Sequence, residues 1–175
     1  MTQLDLQLSE TAIEITSDDW YSPPWLFEAL NCNFELDVCA PRGGVTWIPA
    51  AASFDLSMDG LAQDWHGMVW MNPPYSDPLP WVRKFVEHGD GIALVPTSNG
   101  RWMVELWAAD TDWLMLPPMR FAHGVTRQLS KGSIPNRCWL VAIGKKAKMI
   151  MAESGIGLCR ELSTDNAQPV RHADE

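Results

Sequence analysis

Gly67-Met68-Val69-Trp70-Met71-Asn72-Pro73-Pro74-Tyr75 is the stretch whose reading decides the fold. Gly67–Met71 is a compact apolar run of strand length. It runs straight into Asn72 and two prolines. Each proline fixes its own φ and removes a backbone donor, so the ladder stops there while both carbonyls stay free to accept. From Pro80 to His88 the pattern changes to helical, with Trp81, Val82, Phe85 and Val86 on one side. Strand, rigid turn and helix follow one another without a break.

The same alternation extends in both directions. Pro23 and Pro24 precede Trp25-Leu26-Phe27-Glu28-Ala29-Leu30, a short helix with proline in its first turn. Phe34 to Cys39 alternates and ends in small residues, as a strand does. Val45-Thr46-Trp47-Ile48 is a candidate second strand. Downstream, Gly91–Pro96 reads as a buried strand. Thr97 or Ser98 is placed to cap a helix reaching Ala109. Asp112–Leu116 and Cys138–Ile143 are further strands. Strands separated by helices predict an α/β fold, a mostly parallel sheet with helices on both faces. Ligands in such sheets bind outside the carboxyl ends of the strands, where Asp37, Asn72 and Pro96 fall.

The 175 residues suffice for one domain with a real core. Residues 1–16 read as a polar arm, 17–150 as the domain and 151–175 as a tail. No apolar run reaches the roughly 20 residues of a membrane span. Met1–Glu14 lacks the basic start and apolar stretch of a secretory signal, which makes the cytoplasm the expected compartment. Cys32, Cys39, Cys138 and Cys159 form no C-x-x-C pair and have no histidine at ligand spacing, so neither a metal nor a disulfide framework is expected.

The net charge of −9 argues against nucleic acid as a partner. Its distribution qualifies that. Residues 1–80 carry one basic residue, Arg42, against twelve acidic ones, whereas residues 81–150 carry ten basic against five acidic, a local balance of +5. One face can approach phosphates while the other stays acidic; an accidental asymmetry of two solvated faces fits the charge count equally well.

Asn72-Pro73-Pro74-Tyr75 suits one kind of chemistry. An amino group on a heteroaromatic ring is a poor nucleophile because its lone pair is delocalised. Asn72 Oδ1 and the Pro73 carbonyl can each accept one of its N–H bonds, drawing the nitrogen toward tetrahedral geometry. Tyr75 offers a flat face to a base removed from its stack. A sulfonium methyl donor is already activated and needs positioning, not acid catalysis. A plain proline-rich turn is the competing reading, and an Asn at the tip of a buried strand speaks against it.

Several segments together resemble the phage-type DNA N6-adenine methyltransferase family. They are Trp20-Tyr21-Ser22-Pro23-Pro24-Trp25-Leu26-Phe27, Phe34–Ala40, Asp59-Gly60-Leu61 with Trp65, and Asn72–Ser76. Weaker echoes are Leu94–Thr97, Trp102 and Arg120-Phe121. The resemblance implies a Rossmann-like class I methyltransferase fold, S-adenosylmethionine as cofactor, DNA as substrate and adenine N6 as the methylated amino group. It assigns Asn72, Pro73, Pro74 and Tyr75 to catalysis. It assigns Ser22, Pro23, Asp37, Cys39, Ala40, Asp59 and Asn72 to the cofactor. Within that reading Asp37 holds the methionine ammonium directly or through water, and Ser22 either faces the cofactor or caps a helix. Asp55 and Asp59 compete for the cofactor adenine, with Asp59 the closer fit. No G-x-G loop follows the Phe34 strand, and no acidic residue follows the Val45 strand to grip ribose hydroxyls.

Only 35 positions separate Asp37 from Asn72, which leaves no room between them for a recognition domain. The expected DNA contacts lie later, in the basic stretch with Arg120, Arg127, Lys131 and Arg137, and at Arg101. A plain solvated loop is the alternative for that stretch. Two rival functions use the same tetrapeptide or fold: methylation of a protein glutamine amide, and an inert methyltransferase-like binding module. Cytosine N4 also fits the chemistry. Trp65, Trp70, Trp81 and Trp113 sit at periodic apolar positions and are read as core, and Trp102 is core before it is a stacking surface.

Overall fold

The computed structural model describes residues 20–41, 44, 47–123, 128–130 and 137–160. The arm at 1–16 and the tail from 161 onward lie outside them, as do Arg127 and Lys131. In chain order the elements are β1 (Trp20–Tyr21), α1 (Pro24–Leu30), β2 (Phe34–Ala40), β3 (Ala50–Asp55), β4 (Val69–Met71), α2 (Leu79–His88) and β5 (Gly91–Pro96). Then come α3 (Arg101–Ala108), β6 (Thr111–Met115), β7 (Ala122–His123), β8 (Cys138–Ile143), α4 (Lys145–Glu153) and β9 (Leu158–Arg160).

Seven strands form one sheet in the order β3-β2-β4-β5-β8-β6-β9, and β1 pairs with β7 in a separate ribbon. The β3-β2, β2-β4 and β4-β5 pairs are parallel. The β5-β8, β8-β6 and β6-β9 pairs are antiparallel. Only β8 and β9 therefore run against the rest, and the sheet is mostly parallel in strand direction. The expected α/β class holds in this coarser form.

Alternation along the strands sends side chains to opposite faces. From β5, Ile92 and Leu94 enter a core with Leu26, Phe27, Ala147 and Met151, beneath α1 and α4. Ala93 and Val95 enter a second core with Val82, Phe85, Trp102 and Leu106, beneath α2 and α3. Helices thus cover both faces, as the alternating pattern predicts. Trp70 and Trp113 are fully buried. Trp70 packs on Phe27 at 4.8 Å and on Phe34 at 5.5 Å between ring centroids.

The second strand is not where the apolar pattern put it. Trp47 and Ile48 lie in a turn, Val45 and Thr46 fall outside the described residues, and the strand is Ala50–Asp55. Ala-Ala-Ala-Ser-Phe-Asp has weak intrinsic strand preference, and its partner β2 decides the matter through the register Phe34↔Ala50 to Ala40↔Asp55. Trp47 instead donates its indole N–H to the Ser22 carbonyl at 2.9 Å. The carboxyl-terminal division at 150 falls inside α4, and β9 adds a further strand to the sheet.

Candidate functional site

The chain leaves β2 toward β3 on one side and enters β4 on the other, so the direction of winding reverses between β2 and β4. A crevice opens at the carboxyl ends of two strands related in this way. The register Asp37↔Trp70 brings Asp37, Cys39 and Ala40 beside Met71 and Asn72 at that point.

Asp37 is 3% exposed, and its Oδ1 accepts the Cys39 N–H at 3.2 Å. No cation pairs with it among the described residues. Burial pushes its carboxyl up to about 7, opposed only by the Cys39 hydrogen bond. Burial, and then the Asp37 charge, also raise the Cys39 thiol well above its ordinary range; the Asn72 backbone N–H, donated to the sulfur, works the other way. Cys39 thus ties the end of β2 to the first residue after β4.

Asn72 Oδ1 and Ser22 Oγ are buried without a hydrogen-bond partner. More than nine in ten buried polar groups find partners, so these two atoms, both on residues singled out from sequence, are candidates to meet a ligand. The Tyr75 hydroxyl is buried beside the Cys138 thiol, and burial lifts it well above the usual phenol range. Its ring meets Phe121 edge-on at 6.5 Å. Phe121 adjoins β7, whose Ala122 pairs with Tyr21, so the β1–β7 ribbon brings Ser22 and Pro23 to this region. Ser22 does not cap α1: Pro23 occupies the cap position, with no side-chain cap. Thr97 and Ser98 likewise do not cap α3, whose cap position is Gly100. Ser98 Oγ accepts the Gly100 N–H at 2.9 Å, and Thr97 Oγ1 donates to the Arg137 carbonyl at 2.7 Å.

Asp59 is exposed, with φ of +51°. Gly60 after it is packed so closely that a Cβ there would meet the Val38 carbonyl at 2.4 Å. The Asp59-Gly60 turn therefore crosses the end of β2, beside Asp37. Asp55 ends β3, where it pairs with Ala40 and accepts the Ser57 N–H at 2.8 Å. An acidic residue does stand at the end of the second strand; the misplaced strand at Val45 hid it.

The cationic candidates part company. Arg101 is bound to Glu105 at 2.9 Å, and Glu105 also takes two bonds from Arg83 at 2.7 and 2.8 Å. Arg120 is exposed and donates to the Ser130 carbonyl at 2.6 Å. Arg137 is exposed and rests on the Met115 thioether at 3.7 Å. Among the described residues no group of three His, Cys, Asp or Glu could hold a metal ion, and no helix is long and apolar enough to cross a membrane.

Fold and site together define an α/β protein with a topological switch point between two strands, one carrying a buried carboxyl and the next ending in an unpartnered amide oxygen. The chain belongs to the family described as DNA N-6-adenine-methyltransferase (Dam), whose profile matches residues 9–100. It is 35% identical over 92 residues to the DNA N-6-adenine-methyltransferase of Haemophilus phage HP1 (strain HP1c1), a match covering 47% of this chain and 51% of that protein. The match thus spans about half the length of this curated relative. No solved structure matches the chain.

Proposed function

We propose that this chain is a DNA adenine N6-methyltransferase that uses S-adenosylmethionine. The observation that carries this is Asn72 Oδ1: a buried acceptor with no partner, at the carboxyl end of β4 beside a buried carboxyl on β2, in a chain of this family. The sheet order, with winding reversed between β2 and β4, is what a Rossmann-like methyltransferase fold requires.

The residues present fit the cofactor. Bound there, it supplies an electrophilic methyl on a sulfonium. Asp37, ionised, holds the methionine ammonium, which provides the opposite charge its burial lacks. Ser22 Oγ gains a partner at the methionine end. Asp55, 18 positions after Asp37 and at the next strand end, is placed to accept from ribose hydroxyls. Asp59, over the end of β2, faces the adenine.

Asn72 Oδ1 and the Pro73 carbonyl accept the two N–H bonds of the target amino group. Both acceptors are held in place before the substrate arrives, Asn72 by its backbone bond to Cys39 and Pro73 by its own ring. Tyr75, with hydroxyl buried and ring braced by Phe121, presents a fixed wall to the extruded base. Arg120 and Arg137 at the same edge form no ion pair with a carboxylate among the described residues and suit phosphates. The enzyme works on DNA in the cytoplasm of a bacterial host, and shielding of phage DNA from restriction is the role this implies.

Expression in a host without adenine methylation, followed by digestion of its DNA and mass spectrometry of the nucleosides, tests the proposal. N6-methyladenine above the vector control is expected. Its absence overturns the proposal, and N4-methylcytosine in its place moves the target to cytosine.

A further inference from the structure

A cavity of about 320 Å³ lies between α3 and the strands β6 and β8, away from Asn72. Thr97, Asn99, Met103, Val104, Trp107 and Trp139 line it, with Trp113 as its floor. Its size is at the lower end of ligand pockets, which run from roughly 300 to 1,000 Å³. Trp113 is fully buried and lies 5.0 Å from Trp107 and 5.8 Å from Trp139 between ring centroids. Trp107 is 44% and Val104 65% exposed, although both belong to a helix that otherwise packs on the sheet. The Trp139 indole N–H is buried with no acceptor. An indole donor so placed normally finds a partner.

We infer that this cavity binds a nucleobase of the DNA strand other than the one being methylated, flat against the half-exposed Trp107 ring. The inference rests on DNA being the substrate, as proposed above. Three features select a nucleobase. An aromatic ring face binds any base by stacking, and the cavity's surface is almost wholly apolar, as a stacking slot requires. Asn99, exposed and with both a donor and an acceptor, sits among the lining residues to meet a base edge that projects from the slot. Arg137 stands beside it: its carbonyl accepts both the Thr97 N–H and the Thr97 hydroxyl, at 2.7 Å each, and its exposed guanidinium is available to a phosphate.

Position completes the argument. Cys138 touches Tyr75 on one face of the sheet, and the next residue, Trp139, lines the cavity on the other. The segment from Thr97 to Gly100 leaves β5 at the carboxyl edge that also holds Asn72. A strand leaving the catalytic crevice reaches the cavity by crossing this rim, past Arg137.

The test is photo-crosslinking of the full chain to single-stranded oligodeoxynucleotides carrying 5-iodouracil at successive positions, with adducts mapped by mass spectrometry. Adducts on Trp107 or Trp139 are expected from positions other than the target; adducts confined to Tyr75 or to surfaces outside the cavity overturn the inference. In parallel, Val104→Asp places a negative charge at the mouth without touching the core, and Trp107→Ala removes a stacking face. Each is expected to weaken oligonucleotide binding by roughly 5- to 100-fold with thermal stability retained. Unchanged affinity in both variants also overturns it. Methylation of DNA without cavity adducts refutes this inference alone, whereas cavity adducts without any methylation refute the proposed enzyme activity and leave the binding site standing.

Discussion

Asp37 gives the sharpest quantitative expectation. Its carboxyl is 3% exposed and burial raises it from 3.8 to about 7. If it must be ionised to hold the methionine ammonium, cofactor binding expels a proton from every molecule in which Asp37 is still protonated. The apparent Kd is then increased over its limiting value by the factor 1 + 10^(pKa − pH), which is about 30 at pH ~5.5 and about 2 at pH ~7 for a group titrating at about 7. Affinity for S-adenosylmethionine rises about 15-fold between those two pH values. The window ends below the pH of roughly 8 at which an α-ammonium itself titrates. Isothermal titration calorimetry in buffers of different ionisation enthalpy reads both quantities, with about 1 proton released per cofactor at pH ~5.5 and about 0.5 at pH ~7. A flat Kd with no proton release across this range refutes the assignment of Asp37 to the ammonium. The same raised value has a stability consequence. Between 3.8 and about 7 the unfolded chain binds fewer protons at this position than the folded one, so its contribution to stability is present below 3.8 and is lost as pH rises to about 7. At about 1.4 kcal/mol per pH unit the loss has a ceiling of about 4 kcal/mol. Asp37→Asn is therefore expected to raise Tm above neutral pH by several degrees while weakening cofactor binding, a combination that a purely structural carboxylate does not produce.

Asn72→Ala removes an unpartnered buried acceptor, so methyl transfer should fall by about 10²–10³-fold or more while Tm stays level or rises slightly; product assays and a thermal melt check the two halves. Tyr75→Phe removes a buried hydroxyl whose neighbour is the Cys138 thiol and should keep both fold and activity, whereas Tyr75→Ala should lose activity through the missing ring wall; comparing kcat of the two isolates the ring. Gly60→Ala forces a Cβ to within 2.4 Å of the Val38 carbonyl. It should cost about 1–3 kcal/mol in denaturant unfolding and weaken cofactor binding, since the backbone that must move is the end of β2.

The proposed chemistry could be read from the sequence because it rests on contiguous residues. Asn72-Pro73-Pro74-Tyr75 states its own geometry: two locked φ angles, two free carbonyls and an amide at the strand tip. Asp37 was legible as the end of an alternating strand. Asp55 was legible only as a rival of Asp59 and not as a strand end, because its strand is half alanine and forms by pairing with β2 at a half-exposed edge, while the more apolar Val45-Thr46-Trp47-Ile48 carried the stronger local pattern. Phe121 and Cys138 had no signal linking them to Tyr75, which lies 46 and 63 positions away in the chain. Arg101 looked like a free cation in sequence, although its bond to Glu105 is an i,i+4 pair within α3; only the second claim of Arg83 on that carboxylate arises from packing of α3 against α2.

The sequence by itself determined the alternating layers and the rigid Asn72-Pro73-Pro74 turn at the tip of β4, because periodicity and proline constraints act within a few residues of the chain. Tertiary structure alone decided that β8 enters the sheet antiparallel between β5 and β6, that the β1–β7 ribbon carries Ser22 to the Tyr75 region, and that Asp37 is deprived of water and of any counter-charge among the described residues. Strand order and burial depend on contacts between segments far apart in the chain. The raised Asp37 carboxyl and the unpartnered Asn72 oxygen exist only once those segments have closed around them.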